Sequence, residues 1–144
     1  MKKEYMLVLE LSKFKNPDRQ KIERLLKQPL DYPLVLGQLL FNRMGAVAYY
    51  TLKKCELLGY ANREFRNTLK SIYDVGCEKT RSFSGNLDMI SNIFKNADFP
   101  YAFLKGAYLC SLYPEGLRTS NDIDIIVERS NLSYFCNLLK KNGF

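Results

Sequence analysis

An α+β fold, with a helical region first and a β-α-β-α segment second, is predicted by three features of this 144-residue sequence. Apolar residues recur at helical spacing as far as Asn96. The spacing then gives way to short β-branched and aromatic runs punctuated by Gly and Pro. A composition of 47% apolar and 13% aromatic residues belongs to a chain that buries a core. The change of period sets the expected division: a helical region over 1–98, with one long helix leading out of it, and a smaller β-containing region over 99–144.

Taken in order, residues 18–27 read as a short helix, with Asn16 as N-cap and Pro17 in the first turn. From Leu34 to Leu58, Leu36, Leu39, Leu40, Val47, Tyr50, Leu57 and Leu58 keep helical spacing, with a break near Gly45 and a stop at Gly59. A second pattern from Asn62 to Asn96 runs through Phe65, Leu69, Ile72, Gly76, Phe83, Leu87, Ile90 and Phe94 with no proline inside. It gives one long helix, or two broken near Gly85. Behind Pro100, Tyr101–Leu104 reads as a short buried strand ended by Gly106, and Ala107–Leu112 as a short helix stopped by Pro114. After a polar loop ending at Asn121, Asp122–Val127 is a β-branched strand, and Asn131–Lys141 an amphipathic helix ending at Gly143. Two strands do not make an independently stable sheet. A further strand is therefore expected after Phe144, and the chain is expected to be the amino-terminal portion of a larger domain.

The absence of His excludes imidazole acid/base catalysis, Ser-His-Asp triads and His-ligated metals. Any metal must be held by oxygen or thiolate. Cys55, Cys77, Cys110 and Cys136 form no CxxC pair and are expected to be buried, reduced thiols. The basic opening has no cleavage site, and no apolar run approaches the roughly 20 residues of a membrane helix. A cytoplasmic location without a membrane partner is expected. The 22 Lys+Arg outnumber the 15 Asp+Glu, for a net charge of +7. The surplus lies in residues 1–99 (17 against 11) rather than 100–144 (5 against 4). That distribution suits a polyanion such as RNA, and equally an ordinary solvated face.

Residues two apart on a strand face the same way, about 6.6 Å apart. Asp122 and Asp124 thus share one side, while Ile123 and Ile125 share the other. Paired carboxylates suit hard divalent cations such as those that clamp an in-line displacement at phosphorus. Upstream, Lys105-Gly106 falls at a strand-to-helix turn, where free N–H groups and the helix dipole favour phosphate. Lys105 could meet a phosphate as a point charge and Arg118 could take one bidentately. Taken singly, these residues also read as the polar side of an edge strand, a tight-turn glycine and two solvated cations.

The segments Phe103-Leu104-Lys105-Gly106-Ala107-Tyr108-Leu109, Leu112-Tyr113-Pro114 and Arg118-Thr119-Ser120-Asn121-Asp122-Ile123-Asp124-Ile125-Ile126-Val127 together resemble the nucleotidyltransferase superfamily of the DNA polymerase beta type. More narrowly they resemble the bacterial family of uncharacterised nucleotidyltransferases. Its members carry a Lys-Gly-small turn, a Tyr-Pro, and an Arg ahead of Asp-hydrophobic-Asp-hydrophobic. Gln38-Leu39-Leu40-Phe41-Asn42-Arg43 and the long helix are similar to the helical region preceding that motif, so the resemblance covers residues 34–144.

The resemblance implies that residues 99–144 begin a mixed-sheet nucleotidyltransferase core. Gly106 and Ala107 stand where a Gly-Ser or Gly-Gly turn holds the nucleotide's phosphates, with Lys105 and Arg118 beside them. Asp122 and Asp124 stand where two metal-binding aspartates lie. It implies an NTP substrate, Mg²⁺ or Mn²⁺, and transfer of a nucleotidyl group with release of pyrophosphate. The acceptor is a small molecule, a protein or an RNA. Ala107 departs from the pattern by lacking a hydroxyl, which leaves backbone N–H groups to meet phosphate. The superfamily's third carboxylate comes from a later strand, and Glu128 lies on the same strand as the first two. Two further readings follow. One is a non-catalytic module that binds a nucleotide or partner without metal. The other is a structural fragment whose sheet edge pairs with another chain. Packing is the expected role of Tyr49, Tyr50, Tyr108 and Tyr113, ahead of stacking on a base.

Overall fold

The structure, a computed structural model, describes residues 2–95 and 97–144. The chain is α+β, and its packing separates it into two units, one running up to Gly76 and the other from Cys77 to Phe144.

The first unit holds α1 (Lys3–Leu11), α2 (Arg19–Leu26), α3 (Tyr32–Phe41), α4 (Gly45–Lys54), a 3₁₀ turn (Leu58–Tyr60) and the opening of α5 (Arg63–Phe94). α1 is not among the expected helices, yet it is the centre of the unit and packs against α2, α3 and α4. Leu7, Val8 and Leu11, at helical spacing, join Ile22, Leu25, Val35, Leu39, Leu52, Phe65 and Leu69 in the core. The N-cap of α2 is Asp18, not Asn16: the Asp18 carboxylate accepts the Lys21 N–H at 3.0 Å. Asn16 instead turns the chain with a φ of 50°. α3 begins at Tyr32 because Asp31 caps the Leu34 N–H at 3.0 Å.

α3 and α4 both end on a non-glycine residue in the left-handed region. Arg43 (φ 57°) and Glu56 (φ 58°) let Met44 N–H reach Leu39 O at 2.7 Å and Leu57 N–H reach Leu52 O at 2.9 Å. These are Schellman closures that satisfy terminal carbonyls. The expected stop at Gly59 is thus corrected to Lys54, and Gly59 lies in the 3₁₀ turn. At the chain's far end the same closure uses Gly143 (φ 87°), where the sequence placed it, with Phe144 N–H on Leu139 O at 3.1 Å.

Glu10 is buried and takes charge-assisted hydrogen bonds from Lys21 (2.8 Å) and Lys13 (2.9 Å). Burial works against the carboxylate, but the bonds from Lys21 and Lys13, together with their charge, bring its pKa below the ordinary 4.5. A folded pKa below the unfolded one gives stability that is full above the unfolded value and lost as pH falls through the folded one. Glu10→Gln is expected to cost about 1–3 kcal/mol near neutrality and to remove this acid dependence. Urea denaturation across the acid range checks both.

The second unit holds the rest of α5, β1 (Tyr101–Phe103), α6 (Gly106–Leu112), β2 (Ile125–Val127), a 3₁₀ turn (Arg129–Asn131) and α7 (Leu132–Lys141). α5 runs unbroken past Gly85, whose cost of about 1 kcal/mol relative to Ala is outweighed by burial of Phe83, Ile90 and Phe94 around it. The expected helical end at Asn96 lies outside the described residues. β1 and β2 pair antiparallel, with Tyr101 opposite Val127 and Phe103 opposite Ile125. Both strands are shorter than expected. The ladder extends only through Leu104 N–H on Asp124 O at 2.9 Å, beyond which both chains turn away. One sheet face packs Tyr101, Phe103, Ile125 and Val127 on Ile90, Phe94 and Phe135. A smaller cluster joins Phe83, Ala107 and Cys110 to Phe103 and Ile123. All four cysteines are free, and Cys136 is corrected from buried to exposed because it faces outward beside inward Phe135.

Candidate functional site

β1 ends at a turn that no ordinary residue adopts without cost. Lys105 has φ 35° and ψ −96°, a sparsely populated conformation costing about 1–3 kcal/mol. It is held on both sides: Leu104 N–H donates to Asp124 O, and Lys105 O accepts Leu109 N–H at 2.8 Å as α6 begins. Gly106 follows in a tight place, where a Cβ would overlap Ser120 Oγ, lie 3.0 Å from Ser120 Cβ and meet the Asp122 carbonyl at 3.6 Å. Ser120 Oγ in turn donates to that carbonyl at 3.1 Å. A side chain here would have to displace Ser120, so glycine suits the close packing of the turn on that residue.

The fold therefore brings Lys105, Gly106, Ala107, Asp122 and Asp124 to one end of the two strands. Asp122 and Asp124 precede β2 rather than lying within it. The alternation of exposure nevertheless continues through them, with both aspartates exposed and Ile123 and Ile125 packed inward. Ala107 is buried, and its N–H is committed to Leu104 O at 3.2 Å, closing the turn. The Gly106 N–H has no such partner among the described residues. Arg118 sits four residues before Asp122 with an exposed side chain and an anchored backbone, its carbonyl accepting from Thr80 Oγ1 at 3.3 Å and Cys110 Sγ at 3.6 Å. Burial raises the Cys110 thiol pKa, against the pull of the Arg118 charge.

The donor chemistry fits a hard divalent cation. Among the described residues neither Asp122 nor Asp124 is engaged in an ion pair, so four carboxylate oxygens remain uncommitted. No group of three or more Cys, Asp or Glu suited to a metal occurs among those residues. At the other end of the strands lies a shallow depression of about 350 Å³, lined by Pro100, Tyr101, Ala102, Ile126, Val127 and Glu128. Its lining has no cation to meet a phosphate.

Sequence reasoning did not single out Ser120 or Thr80. The sign for Thr80 was a gap: the stripe on α5 steps from Gly76 to Phe83, and the buried positions between them are Cys77 and the polar Thr80. The expected packing role fits buried Tyr49, ring-paired with Tyr73 at 5.2 Å, and half-buried Tyr50. It is corrected for Tyr108, which is 64% exposed, because α6 covers the core with Ala107 and Cys110 instead.

Residues 28–144 match the family described as uncharacterised nucleotidyltransferase, a stretch that takes in the whole of the Lys105–Asp124 segment. The chain belongs to that family. No curated protein and no solved structure matches it. Among the described residues no helix is long and apolar enough to cross a membrane.

Proposed function

We propose that this family member transfers a nucleotidyl group from an NTP to the hydroxyl of a small-molecule, protein or RNA acceptor and releases pyrophosphate. The observation that carries the reading is the meeting of Gly106 with Ser120 and the Asp122 carbonyl, which sets a cationic turn beside two uncommitted carboxylates. Lys105 meets the triphosphate as a point charge and Arg118 as a planar two-pronged donor. Gly106, whose missing Cβ leaves room for Ser120, holds the phosphate-binding turn of Lys105 against the acidic segment. Asp122 and Asp124 hold Mg²⁺ or Mn²⁺ through hard oxygen donors. When bound, that ion supplies charge neutralisation on the phosphates and a lowered pKa for the attacking hydroxyl.

Equilibrium binding of the four NTPs, with Mg²⁺ and after chelation by EDTA, tests the reading. At least one NTP is expected to bind and to lose roughly tenfold or more in affinity, about 1.4 kcal/mol, on chelation. Binding indifferent to EDTA would place the protein among metal-independent nucleotide binders. Failure of all four to bind would end the nucleotidyl reading.

A further inference from the structure

The loop from α6 to β2 is pinned to the helices more firmly than a connector requires. Thr80 on α5 is 9% exposed, and its hydroxyl bridges the loop at two points: it accepts the Gly116 N–H and donates to the Arg118 carbonyl, each at 3.3 Å. Cys110 on α6 gives the same carbonyl a second donor at 3.6 Å. Next to Thr80, Arg81 forms an ion pair with Glu115 at 2.5 Å. Gly116 takes a φ of 82°, and Leu117 N–H closes the turn on Pro114 O at 3.1 Å. Four hydrogen bonds thus fix the backbone of residues 114–118, with the Arg81–Glu115 side-chain pair beside them, while the guanidinium of Arg118 is left exposed.

Resting on the nucleotidyl-transfer reading above, we propose that Thr80 is a positioning residue: its hydroxyl fixes the backbone from which Arg118 grips the triphosphate of the NTP. A guanidinium binds phosphate through two parallel N–H bonds, a geometry that demands a fixed root. A long side chain on a free loop loses that geometry, and a misplacement of about 1 Å is enough to cost up to a hundredfold. Thr80 contacts no phosphate itself and acts through Arg118. Valine, of nearly the same shape, leaves the Gly116 N–H without this acceptor and the Arg118 carbonyl with the weaker thiol alone. Serine keeps the bridging hydroxyl.

The test is Mg²⁺-dependent binding of the four NTPs to the full chain and to Thr80→Val, Thr80→Ser, Arg118→Ala and Thr80→Val/Arg118→Ala. Thr80→Val is expected to weaken binding roughly tenfold or more, Thr80→Ser to restore most of the affinity, and Thr80→Val to add no loss in the Arg118→Ala background. Full affinity in Thr80→Val, or losses that multiply in the double variant, would overturn the assignment. Should Thr80→Val not fold by circular dichroism, Cys110→Ala removes the other donor to the same carbonyl and is held to the same non-additivity with Arg118→Ala. Amide exchange across residues 115–120 gives a readout independent of nucleotide: faster exchange is expected in Thr80→Val, and unchanged exchange counts against the clamp. If the unmodified chain binds none of the four NTPs, the nucleotidyl reading falls and the assignment with it. If it binds and Thr80→Val binds equally well, only the assignment falls.

Discussion

Asp122→Ala and Asp124→Ala are each expected to abolish Mg²⁺-dependent NTP binding while leaving the fold intact. Both side chains are exposed and lie outside every ion pair among the described residues, so their removal strands no buried partner. Substitutions of that kind change stability by about 0.5 kcal/mol or less. The contacts that shape the turn survive as well, because Ser120 holds the Asp122 backbone carbonyl and Leu104 the Asp124 one. Loss of groups that merely support metal ligands costs about 10–100-fold in metal affinity, and loss of one of two carboxylate ligands belongs at or beyond the upper end. The expected pattern is an unchanged melting temperature with Mg²⁺-dependent affinity down by roughly a hundredfold or more. An intact variant that binds NTP with unaltered Mg²⁺ dependence would remove the aspartates from the site.

Phe94→Ala is expected to have the largest effect on stability in the second unit. The ring is 1% exposed and stacks on Phe135 at 4.5 Å with an interplanar angle of 4°. It also contacts Tyr101 at 5.2 Å and Phe99 at 6.0 Å. Deleting a buried aromatic side chain costs about 3–5 kcal/mol, the loss of transfer free energy plus that of the cavity left behind. The effect is felt at the site because β1 and β2 have only each other as ladder partners among the described residues. Their alignment therefore depends on the aromatic layer beneath them more than on hydrogen bonding. Denaturation followed by tyrosine near-ultraviolet dichroism should show the loss, together with weakened NTP binding. A cost below about 1 kcal/mol would mean that the cluster does not support the strands.

What could be read in advance follows from how local each signal is. The stripe through Phe65, Leu69, Phe83, Ile90 and Phe94 repeats a local period for many turns, and the structure returns α5 as one helix along it. The alternation around Asp122 and Asp124 is also local, and their shared outward side emerged although the strand proper starts at Ile125. Gly106 carried its own sign, since it is the residue that permits close approach. Other features rest on partners distant in sequence. α1 was obscured because Glu10 interrupts its buried surface, and only Lys21, eleven residues on, shows why a carboxylate lies there. The left-handed Arg43 and Glu56 end helices without the glycine that would mark a stop. Thr80 bonds 36 and 38 residues downstream, and neither period nor composition connects it to Gly116 or Arg118.

The unequal burial of the four thiols has a practical consequence. Cys55, Cys77 and Cys110 are enclosed, and burial holds the thiol pKa values of Cys55 and Cys110 above the ordinary value against the pull of nearby cations. Thiolate, the form that attacks a maleimide, is scarce at such sites. Cys136 on α7 lies open to solvent, next in sequence to the Phe135 that stacks on Phe94. The native chain thus offers one attachment point for a fluorophore without any substitution, and a dye there reports on the aromatic layer that carries the two strands.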